Sequence, residues 1–224
     1  MNFILERVTQ PEIEPVTLAE AKRHIRQFIN VTTEDPDVTE LIKVAREWVE
    51  DYTGRSMIDQ RWRLTVQQVP AVTGDAVGGY TTPGYYSGSV AWSAVDGLLL
   101  RRSPVLEIIS INTVGVDGAE TLVDPATYQL RDRESRWPRV VPLSGAVWTA
   151  STFRIVFRAG FADRVSSPVT GAEVVPAVLK HAVKLIIANF DQNREPVNVG
   201  NIVNELPLGI KWLLASQKCD LGMA

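Results

Sequence analysis

The side chains able to do covalent or acid–base chemistry are few and scattered. His24, His181 and Cys219 are the only imidazole and thiol groups in 224 residues. Nucleophilic catalysis needs a base within reach of the nucleophile, and a metal centre needs several ligands converging at short spacing. His24 lies in the run Lys22-Arg23-His24, and His181 lies between Lys180 and Ala182. Neither is spaced with Cys, Asp or Glu as a metal cluster would be, and there is no H-E-x-x-H or cysteine pair. The carboxylate pairs Glu34/Asp35 and Glu50/Asp51 fall at expected helix ends, where capping and solvation account for them. No Walker sequence or G-x-G-x-x-G is present. The glycines from Gly78 to Gly88 follow a strand pattern but open no helix, so they lack the N–H cluster that cradles a phosphate. Gly84-Tyr85-Tyr86-Ser87-Gly88 differs in spacing from a nucleophile elbow. The expectation is a chain with no catalytic residues, no metal and no cofactor.

Three groups of residues could instead bind a partner. Arg131, Arg133, Arg136 and Arg139 surround Trp137 and are interleaved with Asp132 and Glu134. Such a group is either a solvated strand-turn edge or a contact for phosphates or an acidic protein surface. Trp212, with Leu213 and Leu214, lies in an expected terminal helix; it is either an interface anchor or a cap on the core. Tyr85 and Tyr86 lie in a stretch almost free of charge.

Composition argues against whole-surface DNA binding and leaves room for a local basic patch. Hydrophobic residues are 45%, charged residues 22%, and the net charge is −3. Those values are ordinary for a soluble globular chain of one or two domains, whereas a chain neutralising many phosphates usually carries excess Lys and Arg. The single cysteine allows no internal disulfide and suits a reducing cytoplasm. No stretch reaches the ~18 apolar residues that span a bilayer. The charge is uneven: −3 over residues 1–66, −2 over 67–97, +2 over 98–164 and zero over 165–224.

The elements that must position these residues are legible from periodicity. Thr17-Leu18-Ala19-Glu20 is a capping box, and Leu18, Ala21, Ile25, Phe28 and Ile29 recur at helical spacing. A second helix is expected from Asp35 or Asp37 as N-cap to Gly54 as C′ stop. Its apolar stripe is Val38, Leu41, Ile42, Ala45, Trp48, Val49 and Tyr52; Lys43, Arg46, Glu47 and Glu50 take the other face. Residues 61–66 alternate as a strand does. Residues 67–97, rich in Gly, Tyr, Ser and Thr, are expected as a long hairpin or an arm ordered by a partner, the other reading being a surface insertion.

Residues 98–164 read as all-β. Strands are expected near 98–100, 105–114, 128–131, 139–141 and 152–159, with a hairpin turn at Asp117-Gly118. Pro176 fits N1 of a helix with stripe Leu179, Ala182, Val183, Ile186, Ile187 and Phe190, stopped at residues 193–196. A terminal helix runs from Pro207 to Gln217, with Ile210, Leu213 and Leu214 on one side. The fold class is therefore α+β: a small helical bundle of two N-terminal and two C-terminal helices (1–57 and 165–224) around an inserted antiparallel β region (58–164).

The order of these segments has a counterpart. Pro15-Val16-Thr17-Leu18-Ala19-Glu20-Ala21-Lys22 opens the first helix, and Ile42 through Arg55 closes the second, followed by Gln60-Arg61-Trp62-Arg63-Leu64. Val156-Phe157-Arg158-Ala159-Gly160-Phe161 precedes Val175 through Ala182, then come Asn193-Arg194-Glu195 and Leu206-Pro207-Leu208-Gly209. In order and spacing the chain resembles the head–tail connector (adaptor, or head completion) proteins of tailed bacteriophages, in the long form with a β insertion, which also occur in prophages and gene transfer agents. The likeness covers the helical regions and adjacent strands and fades across 67–150. It implies a non-enzymatic structural protein of the virion neck, made in the bacterial host cytoplasm. By resemblance it would form a homo-oligomeric ring, usually twelvefold, beneath the portal protein, would meet a neck or tail-completion protein, and would let DNA pass without sequence-specific binding, with no membrane involved. By position, residues 197–224 would dock on the portal with Trp212, Leu213 and Leu214 as anchors. The alternative is a DNA-packaging accessory that binds DNA or the packaging machinery; a generic adaptor is a third reading.

Overall fold

The computed structural model describes residues 2–67, 98–115, 117–143, 152–161, 174–193 and 208–219. Tyr85, Tyr86 and almost all of the low-charge 67–97 segment lie outside these residues, as do Arg194, Glu195 and the stretch 197–207.

The chain begins with a strand that periodicity alone did not indicate. β1 (Asn2–Thr9) pairs antiparallel with β2 (Gln60–Gln67). β3 is Leu98–Leu99, β4 Val105–Val114, β5 Glu120–Leu122, β6 Tyr128–Arg131, β7 Arg139–Pro142 and β8 Thr152–Ala159. One sheet has the order β1-β2-β8-β4-β5 and a smaller one the order β3-β7-β6. All the pairings between the described strands are antiparallel. β2 and β8 bury alternate residues because a strand's side chains alternate between faces. Trp62, Leu64 and Val66 lie opposite Phe157, Ile155 and Phe153, and all six point inward. Leu98, Leu100 and Val140 from the smaller sheet join the same apolar cluster, so that sheet covers the inner face of the larger one. Gly118, with φ 82°, makes the β4–β5 turn expected at Asp117-Gly118.

A second core is helical. The helices are α1 (Leu18–His24), α2 (Asp35–Thr53), α3 (Ala177–Gln192) and α4 (Leu208–Ala215). The Thr17–Glu20 capping box forms as the sequence predicts. The α2 stripe residues Val38, Ile42, Ala45 and Val49 pack with Leu179, Ala182, Val183, Ile186 and Ile187 of α3 and with Ile210 and Leu214 of α4. Gly54 ends α2 in the left-handed region, φ 69°, as the C-terminal stop requires.

Three local expectations are corrected. α1 ends at His24 instead of running through Phe28 and Ile29, because the backbone turns at Arg26, φ 62°, and the Gln27 N–H returns to the Lys22 carbonyl. Neither Asp35 nor Asp37 caps α2; Glu34 holds the N-cap position without a side-chain bond, and Pro36 in the first turn needs no N–H partner there. Pro176 is the N-cap of α3, one position before N1, with extended ψ 133°.

Candidate assembly surfaces

Of the four polar residues assigned to the outer face of α2, Lys43 is exposed and Glu47 half-buried, but Arg46 and Glu50 are buried. Arg46 and Glu50 are 2% and 0% exposed, and they lie between the two apolar cores. Glu50 Oε1 accepts from the Met57 N–H at 2.8 Å and from Gln60 Nε2 at 2.6 Å. Its Oε2 accepts from Arg46 at 3.0 Å and from Arg7 at 3.4 Å. Arg102 donates to the Glu50 carbonyl at 2.6 Å and to Asp51 at 2.5 Å. Arg46 also meets Glu14, and Arg7 meets Glu47. The Arg7 and Arg102 guanidinium groups both lie over the Trp62 ring, at 5.1 and 4.3 Å from its centroid. Burial pushes the Glu50 carboxyl up, and the donors around it, Arg46 foremost, oppose that push. This cluster ties β1, β2, α2 and the β3–β4 connection together, so it fixes how the sheets sit on the helices. A charge-bearing heptad-like run on a helix looks solvated in sequence; only the strands packed across it reveal burial.

The remaining reactive groups are equally unsuited to catalysis. Cys219 is buried, its N–H bonds the Thr53 carbonyl at 2.7 Å, and burial pushes its thiol up, away from the reactive thiolate. His24 and His181 face each other edge-on across α1 and α3, with ring centroids 6.3 Å apart. Partial burial lowers the His24 pKa, as do the nearby Lys184 and His181. Among the described residues no group of three His, Cys, Asp or Glu is arranged to hold a metal ion. No described helix is long and apolar enough to cross a membrane.

Two of the binding groups singled out in the sequence meet in space. Arg136 donates to the Ser216 carbonyl at 2.6 Å, joining the β6–β7 hairpin to the end of α4 across 80 residues of sequence. Arg55 holds the next carbonyl, Gln217, at 2.7 Å. Arg133 braces the hairpin against β4 through the Leu106 carbonyl. Arg131 and Arg139 are cross-strand partners, with Arg131 exposed. The tail after α4 is thus clamped, and α4 is seated by Ile210 and Leu214, both almost fully buried. Leu214 is a core residue, so its assignment as a docking anchor is corrected. Leu213 is half-buried against the same core. Trp212 stays 77% exposed, held out on a seated helix, and Trp137 on the hairpin is 37% exposed. The Arg136–Ser216 link between the hairpin and the end of α4 could not be assembled from sequence, where its parts lie far apart.

A further exposed apolar group escaped the sequence reading. Phe28, Ile29 and Val31, in the α1–α2 loop, are 81%, 56% and 53% exposed. The helical spacing that assigned Phe28 and Ile29 to a buried stripe was broken by the turn at Arg26.

These features define a class: a mixed α+β protein with antiparallel sheets, two apolar cores, a buried ionic junction between them and exposed aromatic side chains at Trp212 and Phe28. No family model matches the sequence, and no curated protein matches it. Solved structures do match. A chain in the neck of an empty GTA particle computed with C6 symmetry shares 21% identity and a TM-score of 0.67, covering 96% of this chain and 95% of that one. A chain in the virion of a native gene transfer agent (GTA) particle shares 19% identity and a TM-score of 0.67, over 96% and 95%. A chain in the neck of a native GTA particle computed with C12 symmetry shares 18% identity and a TM-score of 0.64, over 96% and 94%. The fold is therefore one found in gene transfer agent necks, and it agrees with the resemblance to head–tail connector proteins.

Proposed function

We propose that this chain is a non-enzymatic structural protein of a virion neck, forming a ring under the portal that joins the DNA-filled head to the tail and extends the DNA channel. The observation that carries this reading is a fold shared over 96% of the chain with chains from gene transfer agent particles, two of them from necks of sixfold and twelvefold symmetry. A ring subunit meets its neighbours through two different faces. The acidic N-terminal region and the mildly basic β region suit that role. The unit 1–57 with 165–224 supplies the helical body and 58–164 the β body, with β1 carrying the N-terminus into the larger sheet. Trp212 and the adjoining arginine hairpin are the proposed docking face for the portal or the next neck protein. DNA passes through the channel without being gripped, in keeping with a net charge of −3.

Electron microscopy of particles made without this gene tests the reading. Filled or leaking heads without tails are the expected result. Normal tailed particles would overturn it, and empty proheads alone would favour a DNA-packaging accessory.

A further inference from the structure

We infer that the α1–α2 loop of one copy inserts its apolar side chains into the groove between α2 and α3 of a second copy. The inference rests on the ring reading above and names a contact that would close the ring.

The loop is built to hold its shape. Lys22 is 2% exposed, and its ammonium group donates to the Ile29 carbonyl at 3.1 Å, the Val31 carbonyl at 2.5 Å and the Asp35 carboxylate at 2.6 Å. An ammonium carries three donors, so every one of them is used to fold this loop. A buried charge is tolerated only when it is paired and hydrogen-bonded, and here the loop and the first residue of α2 supply the partners. Gln27 donates to Glu34 across the loop base, and the Val31 N–H returns to the Phe28 carbonyl. The result is a fixed loop that presents Phe28, Ile29 and Val31 to solvent. Side chains already ordered before association lose little freedom on binding, which is the property of an interface anchor.

The groove has the complementary chemistry. It lies between the N-terminal half of α2 and the end of α3, with a volume of about 440 Å³. Leu41, Val44 and Phe190 give it apolar lining, and Asp37, Glu40 and Asp191 give it acidic lining. Val44 is 44% exposed on a helix whose other apolar residues are covered. Beside the loop stand Arg23 and Arg26, both exposed. Apolar surface thus meets apolar surface, and two cations meet an acidic groove. The loop does not fill the groove of its own chain, since Phe28 remains 81% exposed. Where the two copies do not exchange loops reciprocally, the contact is head-to-tail, the type that closes into rings, whereas a reciprocal exchange would stop at a dimer and overturn the inference.

The test is disulfide trapping in the full-length protein carrying both Phe28→Cys and Val44→Cys. Both positions are exposed, and the native Cys219 is buried. Mild oxidation should give a ladder of cross-linked copies, with no ladder from either single variant. An intramolecular disulfide, a dimer from Phe28→Cys alone, or no cross-link would each overturn the inference. Phe28→Glu should weaken self-association about tenfold or more, with an unchanged thermal midpoint. Mixing Phe28→Glu with Val44→Glu should yield a dimer and nothing larger, because one intact loop and one intact groove remain. Complementation separates the two readings. If wild-type protein restores tails and Phe28→Glu does so equally well, the loop contact fails and the neck reading stands. If the protein is absent from particles, the neck reading fails, and the cross-linking result alone decides the loop contact.

Discussion

Glu50 shows how much one side chain can hold together. It is fully buried and receives donors from α2, β1 and the segment leading into β2. Glu50→Ala would take from buried Arg46 one of its two close carboxylate partners, leaving Glu14, and would leave the Met57 N–H without that acceptor. Breaking a buried pair from one side costs about 3–5 kcal/mol. Urea denaturation should show that loss, whereas Trp212→Ala, at an exposed site, should stay within about 0.5 kcal/mol of wild type. Two further residues set the acid response. The Thr17 backbone N–H and hydroxyl hold the Glu20 carboxyl below its ordinary value, and partial burial with Lys184 and His181 lowers His24. Each group's folded pKa lies below its unfolded one, so the unfolded chain takes up its proton first on acidification. The His24 contribution should therefore be lost as the pH drops below about 6.5, whereas near 4.5 the lowered Glu20 and the raised Glu50 act in opposite senses. Denaturation midpoints at pH 7.5 and 5.5 should show the first step, and His24→Gln should remove it.

Among the elements, β1 and the end of β8 are the most exposed to single changes. β1 is an edge strand, yet Arg7 on it reaches Glu47 and Glu50 of α2. Removing residues 1–9 would turn β2 into a bare edge and take one cation from the buried cluster. An unpaired apolar edge invites association with other chains. The truncated protein should aggregate on mild heating, as light scattering would register. β8 ends at Gly160, where a Cβ would come within 2.6 Å of the Ile58 and Asp59 backbone. Backbone there cannot yield as a flexible side chain would. Gly160→Ala should lower stability by roughly 1–3 kcal/mol, read from the shift in denaturation midpoint.

At the scale of the whole molecule, the ionic junction locks the two cores together. Among the described residues, two exposed groups, Trp212 with the arginine hairpin and the loop at Phe28, are braced from behind by buried or clamped residues. Rigid display suits the proposed stacking into a multi-protein neck. The same charge balance predicts weak DNA binding: a filter or anisotropy assay at moderate salt should find low affinity and a shallow salt slope. Tight binding with a steep slope would point to a packaging accessory.

Local pattern by itself indicated the strands near 61–66, 105–114 and 152–159 and the helices running to Gly54 and from Pro176, which form at 60–67, 105–114, 152–159, 35–53 and 177–192, because alternation and the 3.6-residue repeat are local properties of the chain. The Thr17 capping box and the Gly54 stop were legible for the same reason. Tertiary structure alone decided β1, since an eight-residue run at the N-terminus becomes a strand only when β2 offers it a partner. It also decided that Arg46 and Glu50 are interior, because a charged helix face is solvated or buried according to what packs against it. The turn at Arg26 cut α1 short and moved Phe28 and Ile29 from an expected core to the surface. Leu214 went the other way, from expected anchor to core. Neighbouring residues write their own local conformation, but which face is covered is settled by segments a hundred residues away.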